Sequence, residues 1–323
     1  MKRALITGVS GQDGAYLARL LIDNGYTVTG TSRLGQGGCA RLNQLGIAER
    51  VQILTADAAD WASAQAIVTD VAPDEIYNLG AQSSVGTSFA QPRETTRSIV
   101  DATQNLLEAI RLSKRPIRFY SAGSSEMFGD NGGRPSTEET PLHPRSPYGA
   151  AKCAAYWQVM TYREAYGIYG VTGILFNHES PLRPPQFVTA KIVETARAIA
   201  HGQAEYIELG EIDVVRDWGW APEYVNAMWR MMQTTTPNDV IVATGHAMTL
   251  RSFATYAFDY FGLRFDDHLR VNGALLRANE LAYTCGDARR ARQMLGWQAA
   301  LMGRNLVDRL CAAAEAGRDS DVA

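Results

Sequence analysis

The sequence has little cysteine and no clustered metal ligands. Its four cysteines, Cys39, Cys153, Cys285 and Cys311, form no C-x-x-C pair, and none has a histidine at metal-ligand spacing. A zinc site and a disulfide framework are therefore not expected, and the thiols read as buried or incidental. The chain also lacks a surplus of charge: 31 Lys and Arg against 34 Asp and Glu leave a formal net charge of −3, which offers nucleic acid no electrostatic footprint. No apolar run approaches the ~20 residues of a membrane span. The opening "MKRALITGVSGQDG" has four apolar residues before glycines begin, too few for a signal-peptide core, so a cytoplasmic, soluble protein is the expectation. Repeats and low-complexity tracts are missing too. What remains is ordinary for a folded chain: 46% apolar and 20% charged residues over a length of 323 that suits one large α/β unit or two lobes.

Short apolar runs at 3–7 (RALIT), 27–31 (TVTGT), 51–55 (VQILT), 75–79 (EIYNL), 117–121 (IRFYS) and 171–176 (VTGILF) predict buried strands. Helical spacing appears between them at 13–24, 61–71, 93–113 and 147–167. Strand alternating with helix predicts an α/β fold with a doubly wound parallel sheet of the Rossmann type. After residue 177 the rhythm weakens: a Pro-rich loop at 180–186, a helix at 187–202, a strand pair from 205–209 and 214–217, a helix at 222–233 and a strand at 239–243. The last helix and strand are expected to rejoin the first sheet. The boundary is therefore interleaved, with the Rossmann domain at 1–177 plus about 218–245 and a smaller C-terminal lobe at about 178–217 plus 246–323. The polar end 315–323 reads as frayed.

Glycines at Gly8, Gly11 and Gly14 follow the first strand directly and open the first helix, in "TGVSGQDG". At that place a G-x-x-G-x-x-G run allows a tight turn, close approach of a pyrophosphate and helix-on-strand packing, with Gln12 and Asp13 between the glycines as further cofactor candidates. The second strand ends in Gly30-Thr31-Ser32-Arg33, where an acidic residue would take the ribose 2′-hydroxyl of NAD. An arginine there suits a 2′-phosphate, so NADP is the expected cofactor, with Asp57 beside the adenine or capping its own loop.

Two stretches carry chemistry. "SAGSSEMFGD" places Ser124 and Glu126 at the end of the fifth predicted strand. In "SPYGAAK", Ser146 can cap a helix, Pro147 suits its first position, and Tyr148 and Lys152 fall one turn apart on one face. A neighbouring ammonium and the positive end of a helix favour a phenolate, so Tyr148 is expected to serve as a base near neutrality.

Glycine turn, serine and Tyr-x-x-x-Lys in this order resemble the extended short-chain dehydrogenase/reductase superfamily. Closer still, "ITGVSGQDGAYLARLL", "YNLGAQSSVGTSF", "SSEMFG", "PRSPYGAAK", "ILFNHESPLR", "FVTAKI" and "RDWGWAPEYVNAMW" are similar to the GDP-mannose 4,6-dehydratases. The resemblance implies a lyase that oxidises C4 of a GDP-hexose, eliminates water across C5 and C6, and reduces C6 with the same cofactor. It implies Ser124 as the carbinol hydroxyl partner, Tyr148 as the C4 base, Lys152 as the nicotinamide-ribose anchor and Glu126 as the C5 base. It further implies Asn177 near sugar and diphosphate, Lys191 and Arg216 near phosphates, and Arg277 with Glu280 near diphosphate and ribose or base. Ser83 is a second hydroxyl candidate beside the hexose. His178 reads as structural, and Trp218 and Trp220 as packing between the lobes.

Departures from the family pattern are Ser124 in place of threonine, a glycine-rich "RLGQGGCAR" (33–41) in place of an arginine- and serine-rich loop that reaches a neighbouring subunit, Ala190 in place of arginine, and "RANELAY" (277–283). The loop change disfavours a tetramer and leaves a homodimer through helices 93–113 and 147–167. The changes in the substrate lobe admit a related substrate such as a GDP-manno-heptose. Ser124, Tyr148 and Lys152 also fit a nucleotide-sugar 4-reductase or 4-epimerase, which would have no task for Glu126. A non-catalytic dinucleotide sensor would need neither Tyr148 nor Lys152.

Overall fold

The computed structural model describes residues 1–33, 35–276 and 279–317; Arg277 and the tail from 318 onward lie outside the described residues. Its strands are β1 (Arg3–Thr7), β2 (Thr27–Thr31), β3 (Val51–Leu54), β4 (Glu75–Asn78), β5 (Arg118–Ala122), β6 (Gly170–Leu175), β7 (Asn177–Glu179), β8 (Ile207–Leu209), β9 (Val215–Trp220), β10 (Val240–Val242), β11 (Ala247–Thr249) and β12 (Leu269–Val271). Seven of them form one parallel sheet in the order β10-β6-β5-β4-β1-β2-β3.

Alternation along single strands explains the two covered faces. In β1, Ala4 and Ile6 enter the core shared with helices Gln12–Asp23 and Ala221–Met231. Leu5 enters the core shared with helices Trp61–Val71, Ala102–Ser113 and Pro147–Tyr166. β4 and β5 repeat the pattern with Tyr77 against Ile76 and Tyr120 against Phe119. Burial on both faces is why these strands read as near-continuous apolar runs. The winding direction reverses between β1 and β4, which opens a crevice at their C-terminal ends. There the Thr7 hydroxyl donates to Asn78 Oδ1 at 2.8 Å and accepts from the N–H groups of Leu79 and Gly80, both at 3.0 Å.

The remaining strands make a three-stranded sheet, β11-β9-β7, and a two-stranded one, β12-β8. Helices Val188–Ala200, Leu250–Tyr260 and Gly303–Glu315 pack with them around Ile192, Trp218, Phe253 and Leu306. As expected, the segment after β9 returns to the large sheet, where β10 lies parallel beside β6.

Three expectations are corrected. The strand pair from 205–209 and 214–217 does not form: β8 pairs with β12, while β9 pairs parallel with β7 and antiparallel with β11. The buried carboxylate of Asp217 on β9 gives the reason. Its oxygens accept from Thr244 N at 3.0 Å, the Thr244 hydroxyl at 2.6 Å, Gly245 N at 2.9 Å and Gly286 N at 3.3 Å, donors that a hairpin with 205–209 would not bring to it. The long helix 93–113 is built of Pro92–Thr96, a π-type turn over Arg97–Asp101 and Ala102–Ser113. That wider turn bends the segment beside the crevice. The run 171–176 ends in a break at Phe176, beyond which β7 joins the other sheet.

Asp217→Ala strands these donors in the interior and is expected to lower stability by roughly 3 kcal/mol. The midpoint of urea unfolding measures it, with Asp217→Asn falling between variant and parent.

Candidate active site

A cavity of about 680 Å³ runs from the ends of β1 and β4 past β5 to β7, β8 and β9. Its lining includes Gly8, Gly11, Gln12, Asp13, Gly14, Arg33, Asp57, Ser83, Ser124, Glu126, Tyr148, Lys152, Asn177, Lys191, Arg216 and Glu280. The sequence candidates are thus brought to one place; Arg277 lies outside the described residues.

The glycine turn fits a dinucleotide. Gly8 has a φ of +70°, and a Cβ on Gly14 would stand 2.3 Å from the Gly8 carbonyl oxygen, so the turn closes only without side chains. A Cβ on Gly11 would meet only that oxygen, at 3.2 Å, which leaves space above the turn for a pyrophosphate. No side chain caps helix Gln12–Asp23 at Gly11, so the N–H groups of its first turn are oriented toward that space. The side chains of Gln12 and Asp13 turn out to be engaged elsewhere. Gln12 Nε2 donates to the His178 carbonyl at 3.1 Å, its Oε1 accepts from the Ser180 hydroxyl at 2.8 Å, and Asp13 Oδ2 lies 2.8 Å from His178 Nε2. Their polar atoms tie the turn to residues 178–180.

At the far end of the cavity Arg33 is exposed and pairs with Glu94 at 3.2 Å. Asp57 accepts from the Ala59 N–H at 3.0 Å and is paired with Arg97, so it both caps its loop and lines the cavity.

The reacting groups stand on two elements held in contact. Ser146 accepts from the Gly149 N–H at 3.0 Å, the cap read from the sequence, and starts helix Pro147–Tyr166. Ser124 caps the short turn Ser125–Met127, accepting from the Glu126 N–H at 3.3 Å. A Cβ on Gly149 would lie 2.6 Å from the Glu126 carbonyl oxygen, so this glycine lets the helix reach the turn and sets Tyr148 beside Ser124 and Glu126. Lys152 Nζ donates to the Ala122 carbonyl at 2.6 Å and sits 5.6 Å from the centre of the Tyr148 ring.

Here the expected phenolate is corrected. Burial pushes the Tyr148 phenol up to about 12; the hydrogen bond with Ser124 and the charge of Arg183 pull it down, while Glu126 and Asp13 push it further up. Burial also drives Lys152 down to about 8, with Asp13 opposing. Burial is the largest influence, so in this state the phenol is harder to ionise than a free tyrosine.

In the outer half of the cavity Lys191 Nζ donates to the Glu208 carbonyl at 2.6 Å, and the buried Arg216 pairs with Glu280 at 2.6 Å. Asn177 opens β7, and Ser83 is exposed at the rim. Trp218 is buried against Phe253 at 5.2 Å between ring centres and also lines the cavity.

Two arginines escaped the sequence reading. Arg183 pairs with Glu179 at 3.1 Å, stacks on Phe187 at 3.8 Å and lines the cavity near Tyr148. Arg41 lines it too, donating to the carbonyls of Ser10 and Leu182, both at 2.9 Å. The signal for Arg183 was the rigid Leu-Arg-Pro-Pro that follows Asn-His-Glu-Ser-Pro; Arg41 carried none, being one arginine in a glycine-rich loop.

Lys152 holds a charge at the expense of the fold. Because its folded value of about 8 lies under the free value of 10.5, the unfolded chain binds the extra proton between those pH values, and stability rises with pH through that window. Lys152→Met is therefore expected to stabilise the protein by ~2 kcal/mol at neutral pH, a gain that shrinks toward the free lysine value. Denaturant unfolding of both proteins at neutral and alkaline pH reads the difference.

A family model described as GDP-mannose 4,6 dehydratase matches residues 5–310. Over 308 residues the chain is 42% identical to GDP-mannose 4,6 dehydratase 1 of Arabidopsis thaliana, covering 92% of this chain and 85% of that protein. It is 42% identical over 322 residues to the GDP-mannose 4,6-dehydratase of Sinorhizobium fredii strain HH103, covering 92% of each. The fold matches the crystal structure of DesIV, a dTDP-glucose 4,6-dehydratase from Streptomyces venezuelae with NAD bound, at a TM-score of 0.87 and 21% identity over 98% of both chains. With the family model spanning residues 5–310 and these relatives aligned over 92% of its length, the chain belongs to the GDP-mannose 4,6-dehydratase family.

Proposed function

We propose that the chain is an NADP-dependent GDP-mannose 4,6-dehydratase, a lyase that converts a GDP-mannose-type sugar to the 4-keto-6-deoxy product without net redox change. The observation that carries the reading is the contact of helix Pro147–Tyr166 with turn Ser125–Met127, which puts a hydroxyl, a carboxyl, a phenol and an ammonium on one cavity wall.

In this reading Ser124 holds the C4 hydroxyl of the sugar and Tyr148 takes its proton, while Lys152 steadies the nicotinamide ribose. When bound, the cofactor would supply in its oxidised form the acceptor for the C4 hydride and in its reduced form the donor of that hydride to C6. The new C4 ketone acidifies the C5 proton, which Glu126 accepts; of the two protons now held by Glu126 and Tyr148, one goes to the C6 hydroxyl departing as water and the other to C5 as hydride reaches C6. A 4-reductase or 4-epimerase would leave Glu126 idle, and a dinucleotide sensor would leave the whole wall idle.

The glycine turn and the N-terminus of its helix receive the pyrophosphate, Arg33 the 2′-phosphate, and Asp57 the adenosine end. Lys191 and Arg216 face the GDP diphosphate, with Asn177, Ser83 and Glu280 toward sugar and ribose. The division into a cofactor-binding domain and a sugar-nucleotide lobe follows. For assembly, Leu112 (47% exposed), Trp157 (53%) and Tyr166 (55%) on helices Ala102–Ser113 and Pro147–Tyr166 support a homodimer through those helices.

Incubation with GDP-mannose and no added reductant is expected to give a product lighter by one water with no net consumption of NADPH; unchanged mass with every GDP-hexose and GDP-heptose tried would refute the reading. Glu126→Gln should abolish water loss yet still show transient absorbance of reduced cofactor, and normal dehydration by this variant would remove the role given to Glu126. Tyr148→Phe should lower kcat by roughly 10²–10⁴. Binding titrations should favour NADP over NAD, and Arg33→Ala should weaken NADP binding by about tenfold while sparing NAD.

A further inference from the structure

One pair that the proposed reaction does not use, a half-buried carboxyl and a buried imidazole, joins the dinucleotide turn to the wall of the site. Asp13 stands in the first turn of helix Gln12–Asp23 and His178 in β7, and both line the cavity. His178 Nε2 lies 2.8 Å from Asp13 Oδ2, and its Nδ1 lies 2.7 Å from the Phe176 carbonyl oxygen. A carboxylate oxygen and a carbonyl oxygen both accept. Neutral imidazole carries one N–H, so both contacts are hydrogen bonds only when both ring nitrogens are protonated. The geometry points to His178 as a standing imidazolium, a positioning residue whose charge cancels that of Asp13 beside the pyrophosphate turn and the Tyr148–Lys152 pair, a role that rests on the cofactor reading proposed above.

The surroundings bear this out from each side. Asp13 Oδ1 accepts from Gln12 Nε2 at 3.0 Å. From helix Ala221–Met231, Tyr224 stacks on the imidazole with ring centres 4.6 Å apart. From the loop after β7, Arg183 opposes the ring charge and stabilises the carboxylate; from β5, Tyr120 faces Asp13. Burial works against both charges, but the pair's attraction and hydrogen bond outweigh it, leaving Asp13 down at about 2 and His178 above its ordinary value.

The sign of each contribution follows. The His178 contribution is full below ~6.5 and is lost as pH rises through its higher folded value. The Asp13 contribution is present above 3.8 and lost as pH falls through about 2. Asp13 also reaches the reacting groups, since its charge raises both Tyr148 and Lys152. With a neutral His178, a bare carboxylate would face two incoming phosphates and hold the phenol further from ionisation. The imidazolium removes both penalties while its hydrogen bonds fix the turn to β7.

Nitrogen-15 NMR of the full-length protein, with the His178 signals identified by their loss in His178→Gln, should find both ring nitrogens protonated at neutral pH. In fluorescence titrations with NADPH, His178→Gln should weaken binding by about tenfold, the effect of one uncompensated buried charge. The double variant D13N/H178Q should recover most of that loss, because a neutral pair repels no phosphate; a purely structural pair would bind as weakly doubled as singly changed. A neutral His178 ring in a wild-type protein that binds NADPH overturns the inference alone, as does a double variant no better than His178→Gln. Failure of the wild type to bind any nicotinamide dinucleotide overturns the cofactor reading and the inference with it.

Discussion

The arrangement of the site depends on one close approach: the backbone at Gly149 resting against the carbonyl of Glu126, where a Cβ would stand at 2.6 Å. Tyr148 and Lys152 are fixed by their helix and by the Ala122 carbonyl, which belongs to β5; Ser124 and Glu126 are fixed by the turn that leaves the same strand. A residue larger than glycine at 149 would separate these two sets. The sheet supports the contact from below, because β5 lies between β4 and β6, parallel to both. Strand ends in a parallel sheet all face one side, so a turn after β5 and a glycine turn after β1 open into the same crevice. Geometry at the reacting wall is therefore set by ordinary packing several residues away.

Holding those groups ready opposes the stability of the fold. An enclosed ammonium at Lys152 and an enclosed phenol at Tyr148 are both shifted toward neutrality by burial. An uncharged side chain of the same shape at Lys152 would avoid that desolvation. The conflict is confined by placing both on a long helix whose inner face also carries the buried apolar residues Ala151, Ala155 and Val159. Stability lost at Lys152 is thereby offset over a helix of 20 residues.

Much of this was legible in the chain. The six strands of the first half, the glycine turn, the Ser146 cap and the one-turn spacing of Tyr148 and Lys152 rest on local rules, and local rules survive folding. The pairing of β9 was not legible, because it follows from where Asp217 finds donors 27 and 69 residues away along the chain. The π-type turn at Arg97–Asp101 was hidden for a related reason: one extra residue in a helix leaves the apolar period almost unchanged. The protonation of Tyr148 was misjudged because charge neighbours can be read from spacing, whereas depth of burial cannot. Likewise Gln12 and Asp13 sit in a motif that names them as cofactor residues, but their side chains were claimed by residues more than 160 positions distant.

The basic residues of the cavity share a further property. Arg33 is held by Glu94, Arg183 by Glu179 and Arg216 by Glu280, each at 3.2 Å or less. Arg41 is held by two carbonyls. A free arginine loses roughly 2 kcal/mol of side-chain entropy on being fixed, so a guanidinium already oriented by a neighbour binds phosphate with less to lose. The same carboxylates balance the charge of these guanidinium groups. On the proposed function, two ligands with two or more phosphates each must enter one cavity, and they face repulsion from one another as well as attraction to the wall. Prior ordering of the arginines lets the site hold both by directed hydrogen bonds instead of by an excess of positive charge, in keeping with a net charge of −3 for the whole chain.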